Sequence, residues 1–278
     1  NRADGGAQAV GAGDWRGEMA RAAECDVTFL TPVDDAYPAL LKRIHNPPLA
    51  LYVAGDPAAL SYACLGMVGT RAPTAYGRAT AKAFAYRLAQ AGVVIVSGLA
   101  RGIDTESHAA ALLAGGRTVA VIGGALDRLY PPENRELARR IAKSGGAVVT
   151  EYPFGRQADR QTFPMRNRII SGLSSAILVV EAGATSGTLI TCDHALEQGR
   201  SVMAVPGRID NPAAQGCHKI IKDGARLVEP PDEVLEELQS PPGSTLRSAS
   251  APADPSSAKP AGGGARPALD EVETQILA

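Results

Sequence analysis

The sequence predicts an α/β protein built on a doubly wound, mostly parallel sheet with helices on both faces and a small N-terminal extension. Short β-branched runs alternate with longer helical stretches through the middle of the chain. These runs are apolar without alternation, as strands buried on both faces require. Several runs are followed by turns rich in Gly, Ser and Thr, which suit strand-to-helix connections.

The elements follow from these patterns in chain order. The first two strands flank a proline-punctuated helical piece and form the N-terminal extension, and the later strands alternate with helices as in βαβ units. The predicted strands are 27–30, 51–54, 65–68, 93–97, 119–122, 147–150, 176–181, 201–205 and 226–228. The predicted helices are 36–44, 76–91, 105–114, 133–143, 165–172, 188–198 and 213–223.

Composition divides the chain into four zones. Residues 1–24 contain few large apolar side chains and are predicted to be an N-terminal remnant outside the main domain. Residues 25–238 form the predicted α/β domain. Residues 239–267 are rich in Pro, Ser, Ala and Gly, which is typical of a linker. Residues 268–278 return to helical spacing of apolar residues and are predicted to begin a truncated further module.

Length, charge and cysteine usage limit the function classes. The chain has 278 residues, with 28 Lys and Arg against 29 Asp and Glu, so the net charge is −1. A near-neutral chain removes the simplest argument for a nucleic-acid partner, and any polyanion site must be local. The apolar stretches fall well short of the roughly 20 residues of a membrane helix. Four scattered cysteines without a CxxC pair favour reduced thiols in a cytoplasm.

Three turns after predicted strands are candidate phosphate sites. Ligands of doubly wound sheets bind beyond the carboxyl ends of strands, where glycine permits close approach and helix N-termini attract anions. Gly, Ser and Thr also mark ordinary turns, but turning does not require the arginines present here, and arginine pairs with phosphate in a bidentate fork. The turns are Gly69-Thr70-Arg71, the segment Ser97-Gly98-Leu99-Ala100-Arg101, and Ser186-Gly187-Thr188.

A fourth candidate is the local basic cluster between residues 151 and 170, which contains four arginines and two acidic residues. Its centre is Phe163, followed by Arg166, Asn167 and Arg168. An exposed Phe beside Arg and Asn offers a stacking surface and donors for an unpaired nucleobase and its phosphate. The alternative, a core Phe163 with the arginines on a solvated helix face, stays open from the sequence.

Enzyme signatures are mostly missing from the sequence. It contains neither GxxxxGK[ST], GxSxG nor HExxH, and no GxGxxG followed by an acid about 20 residues later. The four histidines stand apart from any evident nucleophile. These observations favour a binding protein without a metal or cofactor.

Taken together, the motifs resemble the DprA/Smf family of bacterial DNA-processing proteins over about residues 31–228. The matching strings are Met67-Val-Gly-Thr-Arg71, Ser97-Gly-Leu-Ala-Arg-Gly-Ile-Asp104 with His108, Tyr130-Pro-Pro-Glu-Asn134, Glu151-Tyr-Pro153, Phe163-Pro-Met-Arg-Asn-Arg-Ile-Ile170, Val179-Val-Glu-Ala182, Ser186-Gly-Thr188 and Val205-Pro-Gly207. Their order and spacing make the resemblance specific.

The resemblance implies an extended Rossmann-type domain that binds single-stranded DNA and delivers it to the RecA recombinase during natural transformation. It implies a homodimer without catalytic turnover, and residues 1–24 and 268–278 as parts of SAM-like and winged-helix-like modules. By similarity, Phe163 stacks a base, and Arg135 is a weaker outer contact. The implied DNA-binding residues are Gly69, Thr70, Arg71, Ser97, Gly98, Arg101, Phe163, Arg166, Asn167, Arg168, Ser186, Gly187 and Thr188.

Two other interpretations stay open. One is a Rossmann-like nucleotide-processing enzyme similar to the phosphoribohydrolases, which use a Pro-Gly-Gly-x-Gly-Thr-x-x-Glu element. The counterpart here is Ala184-Thr-Ser-Gly-Thr188, and Thr191 stands where that element has its glutamate. The other is a scaffold that binds recombination partners but no DNA.

Overall fold

The architecture is a single sheet with helices on both faces, seen in residues 15–239, which a computed structural model describes. The strands are β1 Val27–Leu30, β2 Leu51–Gly55, β3 Cys64–Val68, β4 Val94–Ser97, β5 Thr118–Val121, β6 Ala147–Thr150, β7 Ala176–Val179, β8 Ser201–Ala204 and β9 Arg226–Leu227. Their order within the described part is β1-β2-β6-β5-β4-β3-β7-β8-β9. Neighbours among β3 to β9 are parallel, and β1 and β2 add an antiparallel extension at the β6 edge. The predicted α/β class and N-terminal extension are confirmed.

Helices cover both faces of this sheet. They are α1 Trp15–Glu24, α2 Ala39–Lys42, α3 Ala75–Gln90, α4 Ile103–Leu113, α5 Arg135–Lys143, α6 Thr162–Leu173, α7 Thr188–Glu197, α8 Gln215–Lys222 and α9 Pro231–Gln239. Successive β-strand side chains point to opposite faces. In β4, Val94 and Val96 therefore join the core under α6 and α7, whereas Ile95 joins the core under α3 and α4. Burial on both faces explains the unbroken apolar strands.

The described elements differ from the sequence-based predictions mainly at their ends. Helix α6 begins at Thr162, three residues before the predicted start, and a short 3-10 turn over Pro132–Asn134 precedes α5. Helices α1 and α9 were not predicted. Both pack on the domain: Ala22 of α1 is buried, as are Val234 and Leu238 of α9.

Helix α1 lies within the zone predicted to be an N-terminal remnant. The hydroxyl of Tyr52 in β2 donates to Glu18 over 3.1 Å, and the backbone N–H of Phe154 donates to the same carboxylate over 3.3 Å. The described part of residues 1–24 is thus packed against the sheet. Residues 1–14, the predicted linker after Gln239 and the predicted C-terminal module lie outside the described residues.

Candidate nucleic-acid interface

A cleft of about 480 Å³ lies beyond the carboxyl ends of β3, β4 and β7. Strand β3 pairs with β4 on one side and with β7 on the other. The chain therefore reverses its winding direction at β3, which is the topological switch point where ligands of doubly wound sheets bind. The walls come from the turn after β3, the loop after β4, the start of α6 and the N-terminus of α7.

The structure brings most of the sequence-predicted site residues to this place. Eight of the thirteen line the cleft: Gly69, Arg71, Phe163, Arg166, Asn167, Ser186, Gly187 and Thr188. Gly98 and Arg101 line a groove beside it, which also contains Arg71, Ala100, Tyr130, Pro131, Phe163 and Arg166 and is called the adjoining groove below. That these residues contact DNA stays a prediction.

Arg71 and Phe163 form the junction between the cleft and the adjoining groove, because both residues line both of them. The guanidinium carbon of Arg71 lies 5.3 Å from the centroid of the Phe163 ring, within cation–π distance. Arg71 is exposed and Phe163 is half-buried. Phe163 is therefore a wall of the cleft and not a core residue, which removes the alternative that the sequence left open.

Arg166 forms the floor of the cleft and has a structural partner set. Its side chain is buried, and Nη1 donates to the carbonyl of Gly98 over 2.7 Å and to the carbonyl of Val121. These carbonyls follow β4 and end β5, so the guanidinium joins two strand ends. Burial lowers the pKa of Arg166 to about 10, with the nearby Asp104 opposing that shift. A Cβ on Gly98 would lie 2.6 Å from Nη1, so this contact requires glycine.

Asp104, in the first turn of α4, is a second side chain that binds the loop after β4. Its Oδ2 accepts the backbone N–H groups of Gly98 and Ala100 at 3.0 and 3.3 Å. Burial raises the pKa of Asp104. The loop also contains Gly102 with φ +79°, where a Cβ would meet the carbonyl oxygen of Thr70 at 2.4 Å. The loop is therefore fixed by Arg166, Asp104 and a required glycine.

The N-terminus of α3 is occupied by a carboxylate of the protein itself. Glu181, which follows β7 and is 2% exposed, accepts the backbone N–H and the hydroxyl of Thr74 at 2.8 and 2.7 Å. The positive dipole end of α3 is therefore already paired with a carboxylate of the protein. The expectation that all three helix N-termini cradle phosphates is corrected for α3, because Glu181 occupies its N-terminus. The residues at the start of α7, Ser186 to Thr188, line the cleft. Asp104, in the first turn of α4, binds the loop that precedes that helix.

Three sequence-predicted residues lie elsewhere. Arg168 has 8% of its side chain exposed and forms two 2.6 Å hydrogen bonds to Glu151, so its charge is used inside the protein. Ser97 is fully buried and donates to the carbonyl of Met67 over 2.6 Å. The backbone N–H of Thr70 donates to the carbonyl of Glu181 over 2.7 Å. For Arg168 and Ser97 the expected phosphate contact is corrected to a structural role, because their polar groups already have internal partners.

Two further residues complete the surface and were not in the predicted set. Arg160 is exposed and lines the cleft, and Tyr130 is 44% exposed and lines the adjoining groove. Both residues belong to patterns visible in the sequence, Arg160 to a basic cluster and Tyr130 to the string that begins with it. They were not selected because neither residue lies directly after a strand. Arg101 is ion-paired with the exposed Glu133. Arg135 lines neither the cleft nor the adjoining groove.

The chemistry available in the cleft is that of anion and ring binding. Of the described residues that line it, Asp104 is the one carboxylate, and its Oδ2 is held by two backbone N–H groups. Thr191 also lines the cleft, at the position where the phosphoribohydrolase element has glutamate. Within residues 15–239, no group of three His, Cys, Asp or Glu side chains is placed to hold a metal ion.

Two further observations concern thiols and membranes. Cys25, Cys64, Cys192 and Cys217 are buried and have free thiols. None of the helices in the described part of the chain is both long and apolar enough to span a membrane.

Comparison with known proteins identifies relatives along most of the described chain. The family model of DNA recombination-mediator protein A matches residues 28–239. Protein Smf of Escherichia coli is 47% identical over 211 residues, which cover 76% of this chain and 56% of that protein. DNA processing protein DprA of Bacillus subtilis is 46% identical over 203 residues, which cover 73% of this chain and 68% of that protein. The chain thus spans little more than half the length of the E. coli relative.

Solved structures agree with this relationship. DprA from Streptococcus pneumoniae is 41% identical, with a TM-score of 0.72 over 76% of this chain and 74% of that one. DprA from Helicobacter pylori, whose structure addresses its single-stranded DNA binding mode, is 26% identical, with a TM-score of 0.69 over 77% and 97%. On the match of sequence, fold and motifs, the chain belongs to the DprA/Smf family of DNA-processing proteins.

Proposed function

We propose that this chain binds single-stranded DNA in the cleft between β3, β4 and β7. The observation that carries the proposal is the pairing of exposed Arg71 with the ring of Phe163, 5.3 Å apart at the cleft mouth. Arg71 meets a phosphate and Phe163 stacks the base of a neighbouring nucleotide. Single-stranded DNA binding by the Helicobacter pylori relative supports this assignment.

Phosphates have two kinds of partner in this proposal. Arg71 and Arg160 supply exposed cations on the cleft wall. The N-terminus of α7 supplies backbone N–H groups and a positive dipole end, with the hydroxyls of Ser186 and Thr188 beside them. Such backbone donors do not enter a charge count, so a chain with net charge −1 can hold a polyanion locally.

Stacking on Phe163 explains a preference for single strands. In a duplex both faces of each base are stacked on neighbouring bases. A base of an unpaired strand can therefore stack on a protein ring at a lower free-energy cost. Phe163 is half-buried in the cleft wall, with Arg71 beside its ring. Selectivity therefore comes from this stacking surface together with few exposed cations, which bind a duplex backbone weakly.

The cellular role that we propose is delivery of single-stranded DNA to the RecA recombinase during natural transformation, by a cytoplasmic homodimer without catalytic turnover. The description of the family as a recombination mediator supports this role. Gel filtration and co-sedimentation with RecA test the dimer and the partner. Release of free base from purine mononucleotides would contradict the absence of turnover.

The central experiment compares labelled oligothymidine with a duplex of equal length by fluorescence anisotropy across a salt series. We expect tighter binding of the single strand, and log K that falls with log salt by about 0.7 for each neutralised phosphate. Combined replacement of Arg71 and Arg160 by alanine is expected to lower that slope by about 1.4. The matched control is Arg140→Ala, an exposed arginine of α5 that lines neither the cleft nor the adjoining groove. Equal affinity for both DNAs, or no binding, refutes the proposal.

A further inference from the structure

The adjoining groove contains an exposed aromatic ring to which the proposed function gives no role. Tyr130 is 44% exposed, and its ring centroid lies 5.8 Å from that of Phe163, with the two planes at 48°. The guanidinium of Arg101 lies 5.9 Å from the Tyr130 centroid, as that of Arg71 lies 5.3 Å from Phe163. Two ring-and-arginine pairs therefore stand side by side on one continuous surface.

Tyr130 is held on a fixed backbone. Its neighbours Leu129 and Pro131 are buried, so the chain is anchored on both sides of the exposed ring. Four residues on, the buried Asn134 donates from Nδ2 to the carbonyl of Leu99 over 2.8 Å and to the hydroxyl of Thr105 over 2.9 Å. The segment that carries Tyr130 is thereby tied to the loop after β4, which forms one side of the cleft.

An exposed aromatic side chain on a rigid segment loses little conformational entropy when a ligand stacks on it. Arg71, beside Phe163, provides a cation for the phosphate that links the stacked bases. The Arg101 guanidinium is ion-paired with Glu133 and also interacts with the Tyr130 side chain. The arrangement suits a short unpaired polynucleotide better than a mononucleotide.

We propose that Tyr130 is a second base-stacking site, so that single-stranded DNA passes from the cleft over Phe163 into the adjoining groove and places a further nucleobase on Tyr130. This inference rests on the proposed function. The 48° angle between the rings means that bases lying on both cannot stay stacked on each other. The strand is therefore splayed at this point, which a paired duplex cannot do.

The experiment uses tryptophan as a local reporter of stacking, in Tyr130→Trp and, separately, in Phe163→Trp. The unmodified chain, whose single tryptophan is Trp15, gives the background signal. Saturating oligothymidine is expected to quench both introduced tryptophans. Quenching in Phe163→Trp without quenching in Tyr130→Trp overturns the inference and leaves the proposed function standing. Failure of the unmodified chain to bind oligothymidine refutes the proposed function itself.

Affinity provides an independent measurement. Tyr130→Ala is expected to weaken oligothymidine binding by about 5- to 150-fold, the range for loss of one base–aromatic stack. Tyr130→Phe keeps the ring and is expected to bind like the unmodified chain. The control is Tyr86→Ala, a tyrosine of α3 that is 38% exposed and lines neither the cleft nor the adjoining groove. Unchanged affinity in a folded Tyr130→Ala, or an equal loss in Tyr86→Ala, overturns the inference.

Discussion

Replacing Arg168 by methionine is expected to destabilise the protein and to leave its affinity for single-stranded DNA unchanged. The Arg168 guanidinium donates to both oxygens of Glu151 over 2.6 Å, and its Nε donates to the carbonyl of Asn46 over 3.0 Å. Only 8% of the Arg168 side chain and 17% of the Glu151 side chain are exposed. Methionine keeps much of the apolar volume but supplies no donor, so the Glu151 carboxylate loses its partner.

The magnitude follows from this burial. Removing one partner of a buried ion pair costs about 3–5 kcal/mol, because the other charge stays desolvated and unpaired. For a domain of this size, that loss corresponds to a fall in Tm of about 6–20 °C. Replacing both residues, as Arg168→Met with Glu151→Leu, is expected to recover a large part of the loss, because no unpaired charge remains.

Urea denaturation measures the stability of each variant, and anisotropy with labelled oligothymidine measures affinity at a temperature where the variant is folded. The expected result for Arg168→Met is a lower unfolding midpoint with the same affinity and the same salt slope. An unchanged midpoint together with weaker binding and a shallower salt slope would refute the reasoning, because Arg168 would then be neutralising a phosphate.

Arg71→Ala is expected to weaken oligothymidine binding by about 10- to 150-fold, the range for one charged hydrogen bond, at an unchanged unfolding midpoint. The same loss in Arg140→Ala would count against a local site. Gly102→Ala is expected to lower the free energy of unfolding by about 1–3 kcal/mol, since φ is +79° and the new Cβ would meet Thr70; an unchanged urea midpoint would contradict this. Burial lowers the pKa of His108 to about 3. Between about pH 6.5 and 3 the unfolded chain therefore binds a proton that the folded chain does not, and stability falls with decreasing pH by up to about 1.4 kcal/mol per unit. His108→Asn should flatten this dependence in urea titrations, and an equally steep profile would exclude His108 as its source.

Local patterns were sufficient for the secondary structure and for part of the site. Apolar β-branched runs predicted six of the seven parallel strands, β3 to β8, within about two residues at each end, because burial on both faces leaves the same signature wherever the strand pairs. The seventh, β9, is the exposed pair Arg226–Leu227. The turns after β3 and β7 were found from Gly, Ser, Thr and Arg, and the start of α6 from Phe, Arg and Asn. Arg71 and Phe163 meet at the edge of the sheet where the carboxyl ends of the parallel strands lie.

Roles that depend on a distant partner were not predictable in the same way. Arg166 and Arg168 stand two residues apart in one motif, yet Arg166 binds strand-end carbonyls and Arg168 binds Glu151. Both side chains are buried, although the motif by itself favours exposed cations. Likewise, the sequence presents Glu181 as the end of a strand, whereas the fold brings its carboxylate to the N-terminus of α3.

The sequence by itself determined the α/β class, the family and the small set of turns in which a ligand could bind, because these depend on periodicity and on motifs read within a few residues. The tertiary structure decided which of those groups are available to a ligand. Availability depends on partners that folding brings from far along the chain, and a buried arginine or helix end that already has a carboxylate or carbonyl partner gains little from a phosphate. Arg71, Arg160, Phe163 and the start of α7 keep their binding groups exposed to the cleft.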